Sequence, residues 1–180
     1  HADHLEAHLK GRKGLPEIII SDERGALLET GGGVVKALPL LGDDPVFICN
    51  IDAVWLENSE TLSDMMAAWD PRRMDDLLLL ARKDDTLGYP GAGDFDLSDN
   101  GEITRRAGEQ ADYVYAGVQI ARLDPIKAFE AVPFSRNKVW DITLPAGRAF
   151  GHVLDGLWMQ VGDPESRDEA DMKHAAGADD

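Results

Sequence analysis

Apolar residues in this chain fall into short uninterrupted runs, with stretches of helical spacing between them. Ile18, Ile19 and Ile20 in EIIISDE, the VFIC of VFICNID, and the leucines of DDLLLLARK form runs too short for a helix; they predict strands covered on both faces. Leu5 and Leu9 in HADHLEAHLKGR recur at helical spacing and stop near Gly11, which predicts a short amphipathic helix. ETGGG predicts a loop that opens a helix through Val34, Val35 and Leu38 and ends close to Pro39. From about Ser59, Leu62, Met65, Met66 and Trp69 mark the apolar face of a further helix.

Beyond Pro90 the pattern shortens. GDFDLSDNGEITRR alternates on either side of Asn100-Gly101 and predicts a hairpin. YVYAGVQIA reads as another strand, helices follow near Phe129 and Trp140, and RAFGHVLD and LWMQVG read as late strands. Asp163-Pro164-Glu165 caps and starts a C-terminal helix with proline at its first position, and the AAGADD tail is expected to fray. Short strands alternating with amphipathic helices predict an α/β fold with a mostly parallel sheet. The 180 residues suit one domain spanning 1–180.

Composition narrows the partners. A formal net charge of -16 disfavours a sequence-independent grip on nucleic acid, which needs clustered Lys and Arg, and equally disfavours an anionic membrane surface. No apolar run approaches the roughly 20 residues of a membrane span, and the chain opens without a signal-peptide pattern. The single cysteine, Cys49, lies in an apolar run and is expected to be a small buried hydrophobe; with no partner for a disulfide, a cytoplasmic setting is the simplest.

The candidate chemistry is sparse. Asp52 follows VFICN, and in open α/β sheets ligands bind beyond the carboxyl ends of strands, where a carboxylate can hold a hard cation such as Mg²⁺. From spacing, that role and the capping of a turn weigh equally. Gly31-Gly32-Gly33 before a helix could let a ligand approach outward-pointing N–H groups, yet it lacks the Lys-Ser/Thr ending of a P-loop, and composition favours a plain flexible loop. His1, His4 and His8 are expected on a solvated helix face and His152 in a strand, with no role assigned; no nucleophile triad is evident.

Taken in order, LLETGGGVVKALPLLGDDPVFICNIDAVW, GDFDLSDNGEITRR, YAGVQIARL, FSRNKVWD and DGLWMQVGDPE resemble the sugar-1-phosphate nucleotidyltransferase family. Within it they are most similar to the small bacterial branch of N-acetylmuramate-1-phosphate uridylyltransferases and mannose-1-phosphate guanylyltransferase-like proteins. The resemblance implies a Rossmann-like three-layer α/β/α sandwich. It also implies transfer of a nucleoside monophosphate from UTP or GTP to a sugar 1-phosphate, with pyrophosphate released and Mg²⁺ as cofactor. By resemblance Asp52 is the metal-binding aspartate, Glu29, Thr30, Gly31, Gly32 and Gly33 lie along the nucleotide, and Gly93 and Gly117 line the sugar side. The ETGGG and GVQI blocks lean the reading toward uridylyl transfer to N-acetylmuramate 1-phosphate.

Two departures qualify the expectation. The family opens with a Gly-rich phosphate loop and a Pro-Lys-Pro segment; neither occurs here, so the chain is expected to begin after the first βα unit and to show little or no turnover as it stands. Where many members carry a second metal-binding Asp in W-x-D-V-G, this chain has Gln160, a neutral ligand that would bind the cation more weakly, with Asp155 and Asp163 nearby. These departures keep a second reading open, a non-catalytic nucleotide- or sugar-binding descendant of the fold.

Overall fold

The computed structural model describes residues 1–177. They form two compact units: one joins His1–Asp44 to Leu123–Val139, and the other joins Pro45–Arg122 to the chain from Trp140 onward.

The first unit holds α1 (Ala2–Lys10) and α2 (Glu29–Leu41). Its core is Ile126, Phe134 and Val139, against which Val34, Val35 and Leu38 of α2 and Phe129 pack; the rings of Phe129 and Phe134 stack at 4.9 Å. His4 and His8 are exposed on α1 and His1 is exposed just ahead of it, as the solvated-face reading expects. The strand expected at Ile18–Ile20 is absent: these residues are 38%, 60% and 42% exposed and no described strand pairs with them. A strand is a ladder of shared hydrogen bonds, so an apolar run without a neighbouring strand to take its N–H and C=O groups remains extended chain.

The second unit is built on two sheets. The larger has the order β6-β5-β7-β3-β8, where β3 is Asp76–Arg82, β5 Phe95–Leu97, β6 Ile103–Arg105, β7 Tyr113–Ala121 and β8 Ala149–Val153. The strand β1 (Val46–Cys49) pairs with the C-terminal half of β7, from Val46 opposite Ala121 to Cys49 opposite Val118, while β5 meets β7 at Tyr113. A sheet of mostly parallel ladders does not form. Strands β1, β3, β5 and β8 share a direction, but the long β7 runs against them in the middle, so among the described strands of this sheet only β3 and β8 form a parallel ladder.

Burial follows from position in that sheet. Leu77, Leu79 and Ala81 face one core, with Val114, Ala116, Val118, Met65 and Trp158; Leu78 and Leu80 face another, with Phe95, Ile103 and Trp140. The unbroken leucine run is thus a strand covered on both sides, as expected. By contrast, β1 alternates half-buried and exposed, with Phe47 37% exposed and Cys49 on the exposed side, because β7 is its one described neighbour. The expectation of a fully buried strand with a buried cysteine is corrected there. Partial desolvation of the sulfur still pushes the Cys49 thiol up, which leaves it a poor nucleophile.

The helix α3 (Thr61–Ala68) turns Met65 inward, while Leu62 and Met66 are 40% and 58% exposed. Its apolar face is therefore narrower than the spacing predicts. The second sheet has the order β2-β9-β4, with β2 Ala53–Glu57, β4 Thr86–Leu87 and β9 Gly156–Gln160. The hairpin at Asn100-Gly101 forms between β5 and β6, with Gly101 at φ 84. After α4 (Asn137–Thr143), the last helix, α5, spans Pro164–Gly177 with proline at its first position. Fraying expected of AAGADD falls partly outside the described residues, since α5 continues through Gly177.

Candidate active site

The carboxylate of Asp52 is delivered by a turn laid on β7. Beyond Cys49 the chain leaves β1, and the Asn50 N–H donates to the Gly117 carbonyl at 2.7 Å. Gly117 has φ 82, and a Cβ on it would stand 2.8 Å from the Cβ of Ala53 and 3.2 Å from that of Asn50. Only a glycine there lets the turn sit this close. On its other side the turn meets β9: Ala53 is opposite Gln160, and the Val161 N–H donates to the Asp52 carbonyl at 2.8 Å. Asp52 therefore lies one residue beyond the Ala53–Gln160 rung of the β2/β9 ladder, and Gly117 lies buried beneath the same turn.

Ile51 at the turn's tip is fully exposed, and Asp52 is half buried. Among the described residues the Asp52 carboxylate makes no hydrogen bond and no ion pair, so the cap that spacing allowed is not formed. Asp155 lies roughly 16 Å along β9 from Gln160 at about 3.3 Å per residue, and its carboxylate accepts the Asn58 side-chain amide at 3.0 Å. Asp163 caps α5 instead: its Oδ1 accepts the Ser166 N–H at 2.9 Å, and that bond holds its carboxyl below the usual range. Of the three neighbours, Gln160 is the one at the Asp52 end of the strand whose side chain is not engaged elsewhere.

Among the described residues no group of three or more His, Cys, Asp or Glu could hold a metal ion. The unengaged oxygen donors at this end of β9 are the Asp52 carboxylate and the Gln160 amide. Such hard oxygen donors fit a cation that keeps most of its waters and takes further ligands from a substrate, as Mg²⁺ does.

Gly93 is buried, with φ 85 and a would-be Cβ 2.2 Å from the Ala111 carbonyl oxygen. Its N–H donates to the Tyr89 hydroxyl at 3.2 Å, and the next residue is tied twice, Asp94 N–H to the Tyr113 carbonyl at 2.7 Å and Tyr115 N–H to Asp94 Oδ2 at 2.9 Å. Burial, with the Asp94 charge beside it, pushes the Tyr89 phenol up, so it remains a neutral donor and acceptor. Reasoning from sequence did not single out Tyr89 or Trp158. An aromatic residue two positions before a glycine in a Gly/Pro-rich loop was the available signal.

In the first unit the glycines lie within the first turns of α2, not in a loop ahead of it. Gly31 and Gly32 both donate to the Phe134 carbonyl, at 2.8 and 3.4 Å, and a Cβ on them would meet the Phe134 ring at 2.3 Å and the Val132 carbonyl oxygen at 2.1 Å. Their N–H groups and bare surfaces are thus taken up by the 132–134 segment in this structure. Thr30 Oγ1 accepts the Arg136 N–H at 3.0 Å. Glu29, at the head of the helix, is exposed at φ 58, an uncommon conformation for a residue other than glycine. Gly33 faces the Glu23 carboxylate, whose Oε2 accepts the Leu28 N–H at 2.9 Å.

No protein-family model matches the chain. Individual proteins do. The N-acetylmuramate alpha-1-phosphate uridylyltransferase of Caulobacter vibrioides is 45% identical over 179 residues, which span 97% of this chain and 74% of that protein. The chain belongs to the sugar-1-phosphate nucleotidyltransferases. A protein of the same name from Neisseria meningitidis serogroup B is 28% identical over 146 residues, 81% of this chain and 62% of the relative.

Solved structures give the fold of this nucleotidyltransferase. HddC from Yersinia pseudotuberculosis complexed with GMP-PN superposes with a TM-score of 0.68 at 19% identity, covering 96% of this chain and 74% of that one. An apo UDP-glucose pyrophosphorylase superposes at 0.64 with 10% identity, covering 83% and 60%. The fold is the Rossmann-like α/β type of nucleotidyltransferases. The reaction class is transfer of a nucleoside monophosphate from an NTP to a sugar 1-phosphate with release of pyrophosphate, and its partners are small molecules. Among the described residues no helix is long and apolar enough to cross a membrane.

Proposed function

We propose that this chain serves uridylyl transfer from UTP to N-acetylmuramate α-1-phosphate, with Mg²⁺ held at Asp52 and Gln160, in cytoplasmic cell-wall recycling. What supports the reading is the free Asp52 carboxylate beside Gln160, in a chain 45% identical to a protein named for this activity. Glu29 to Gly33 are proposed to lie along the nucleotide, and Gly93 and Gly117 along the sugar.

The physical logic is electrostatic. In-line attack of a sugar phosphate on the α-phosphorus spreads charge over phosphate oxygens, and catalysis consists mostly of positioning and screening. Mg²⁺, when bound, neutralises part of that charge. A chain of formal net charge -16 repels a triphosphate, so a carboxylate reserved for a cation serves binding as much as chemistry. The peptide groups of the Asp52 turn, bonded to Gly117 on β7 and to Val161 just past β9, fix the backbone that carries the carboxylate.

Calorimetric titration with Mg-UTP and with N-acetylmuramate α-1-phosphate, followed by a pyrophosphate-release assay, tests the proposal. Both ligands are expected to bind, UTP only with Mg²⁺. Preference for GTP and mannose 1-phosphate, or failure of either ligand to bind, overturns it. Gln160 in place of a second carboxylate favours one alternative, a binding module without turnover, for which the outcome would be tight binding and no pyrophosphate even after the family's Gly-rich loop and Pro-Lys-Pro segment are added ahead of the chain.

A further inference from the structure

Tyr89 folds back across its own loop. A Cβ on Gly91 would meet its Cζ and Oη at 2.3 Å, so the ring lies flat where only a glycine leaves room, and its hydroxyl accepts the buried Gly93 N–H at 3.2 Å. The same hydroxyl is 3.5 Å from Asp94 Oδ1, too long for a strong bond. On its other side the Tyr89 ring meets Trp158 edge-on, centroids 6.1 Å apart at 64°. Trp158 is 5% exposed, and its indole N–H donates to the Ala116 carbonyl at 3.0 Å, next to Gly117.

A continuous path therefore runs from the Gly93 amide through Tyr89 and Trp158 to the peptide that precedes Gly117. We infer that Tyr89, braced by Trp158, is a positioning residue that holds the Gly93 loop in register with Gly117 on β7 and thereby sets affinity for the sugar phosphate. The inference rests on the proposed function for the identity of the ligand. Its physical basis is that a loop containing Gly88, Gly91 and Gly93 has many accessible conformations. Without a brace, binding must order it at a cost in affinity. Leaving the buried Gly93 N–H unbonded would favour departure from the native loop geometry.

The test uses the whole 180-residue chain and Tyr89→Phe, which keeps the ring against Trp158 and removes only the hydroxyl. Titration with N-acetylmuramate α-1-phosphate should weaken about tenfold, the size of one lost hydrogen bond, while the Kd for Mg-UTP stays within about twofold. The Gly93 amide resonance should shift in the ¹H–¹⁵N spectrum, and Trp158→Phe should reproduce the selective loss. Sugar-phosphate affinity within about twofold of the parent, or equal weakening of both ligands, overturns the inference while the functional reading stands. If the parent chain binds no sugar phosphate, the functional reading falls and the inference with it.

Discussion

Gly117 lies directly beneath Ala53: a Cβ on the glycine would be 2.8 Å from the alanine Cβ, and the glycine's φ of 82 is one that other residues rarely adopt. The register of β3 against β7 shifts at this level, between Leu78 and Leu80, and the Asp52 turn settles on the bulge. Gly117→Ala should therefore lower stability by about 1–3 kcal/mol, from strain and overpacking together. Urea denaturation measures the loss, and Mg-UTP titration of the still-folded variant should show weaker binding because the turn beneath Asp52 is displaced.

Asp52→Asn removes a charge without removing volume. Since the carboxylate supports no hydrogen bond among the described residues, the melting temperature should stay within about 2 °C, whereas Mg-dependent UTP affinity should fall at least about tenfold. Unchanged affinity would return Asp52 to an ordinary turn residue.

Gly32→Ala sets two effects against each other. Alanine in a helix is favoured over glycine by about 1 kcal/mol, but the new Cβ would be 2.1 Å from the Val132 carbonyl oxygen, a backbone atom that cannot swing aside. Overpacking of this kind costs about 1–3 kcal/mol, so the net effect on urea stability should be destabilising. A stabilised variant would show that the 132–134 segment does not rest on α2 in solution.

His152 supplies a pH dependence. Half buried on β8, its imidazole is held below the ordinary 6.5 by burial, partly offset by the Asp64 charge. The unfolded chain therefore binds the proton more readily than the folded one, and stability drops as pH falls below about 6.5 through the folded value. His152→Gln should flatten the stability profile between about pH 7 and 5, measured by urea midpoints at each pH.

Much of the second unit was legible in the sequence. The leucines of β3, the hairpin at Asn100-Gly101 and the Asp163-Pro164 start of α5 carry local signals strong enough to stand alone, and Asp163 does cap Ser166. Asp52 was also visible, as a carboxylate closing an apolar run. Less legible were Tyr89 and Trp158, because side chains that brace a loop have no periodicity, and the glycines of α2, whose composition suggests a loop.

Hydrophobic pattern, turn chemistry and capping residues are local properties, and they determined which segments become strands, helices and turns wherever a segment's partners did not matter. Tertiary structure decided the rest. Whether Ile18–Ile20 becomes a strand, whether β1 is covered on both faces, and whether Gly31 and Gly32 meet a ligand or Phe134 and Val132 all depend on which distant segment lies alongside. Hydrogen-bond ladders and close packing are pairwise between residues far apart in the chain, so the residues themselves set what a segment can do and its neighbours set what it does.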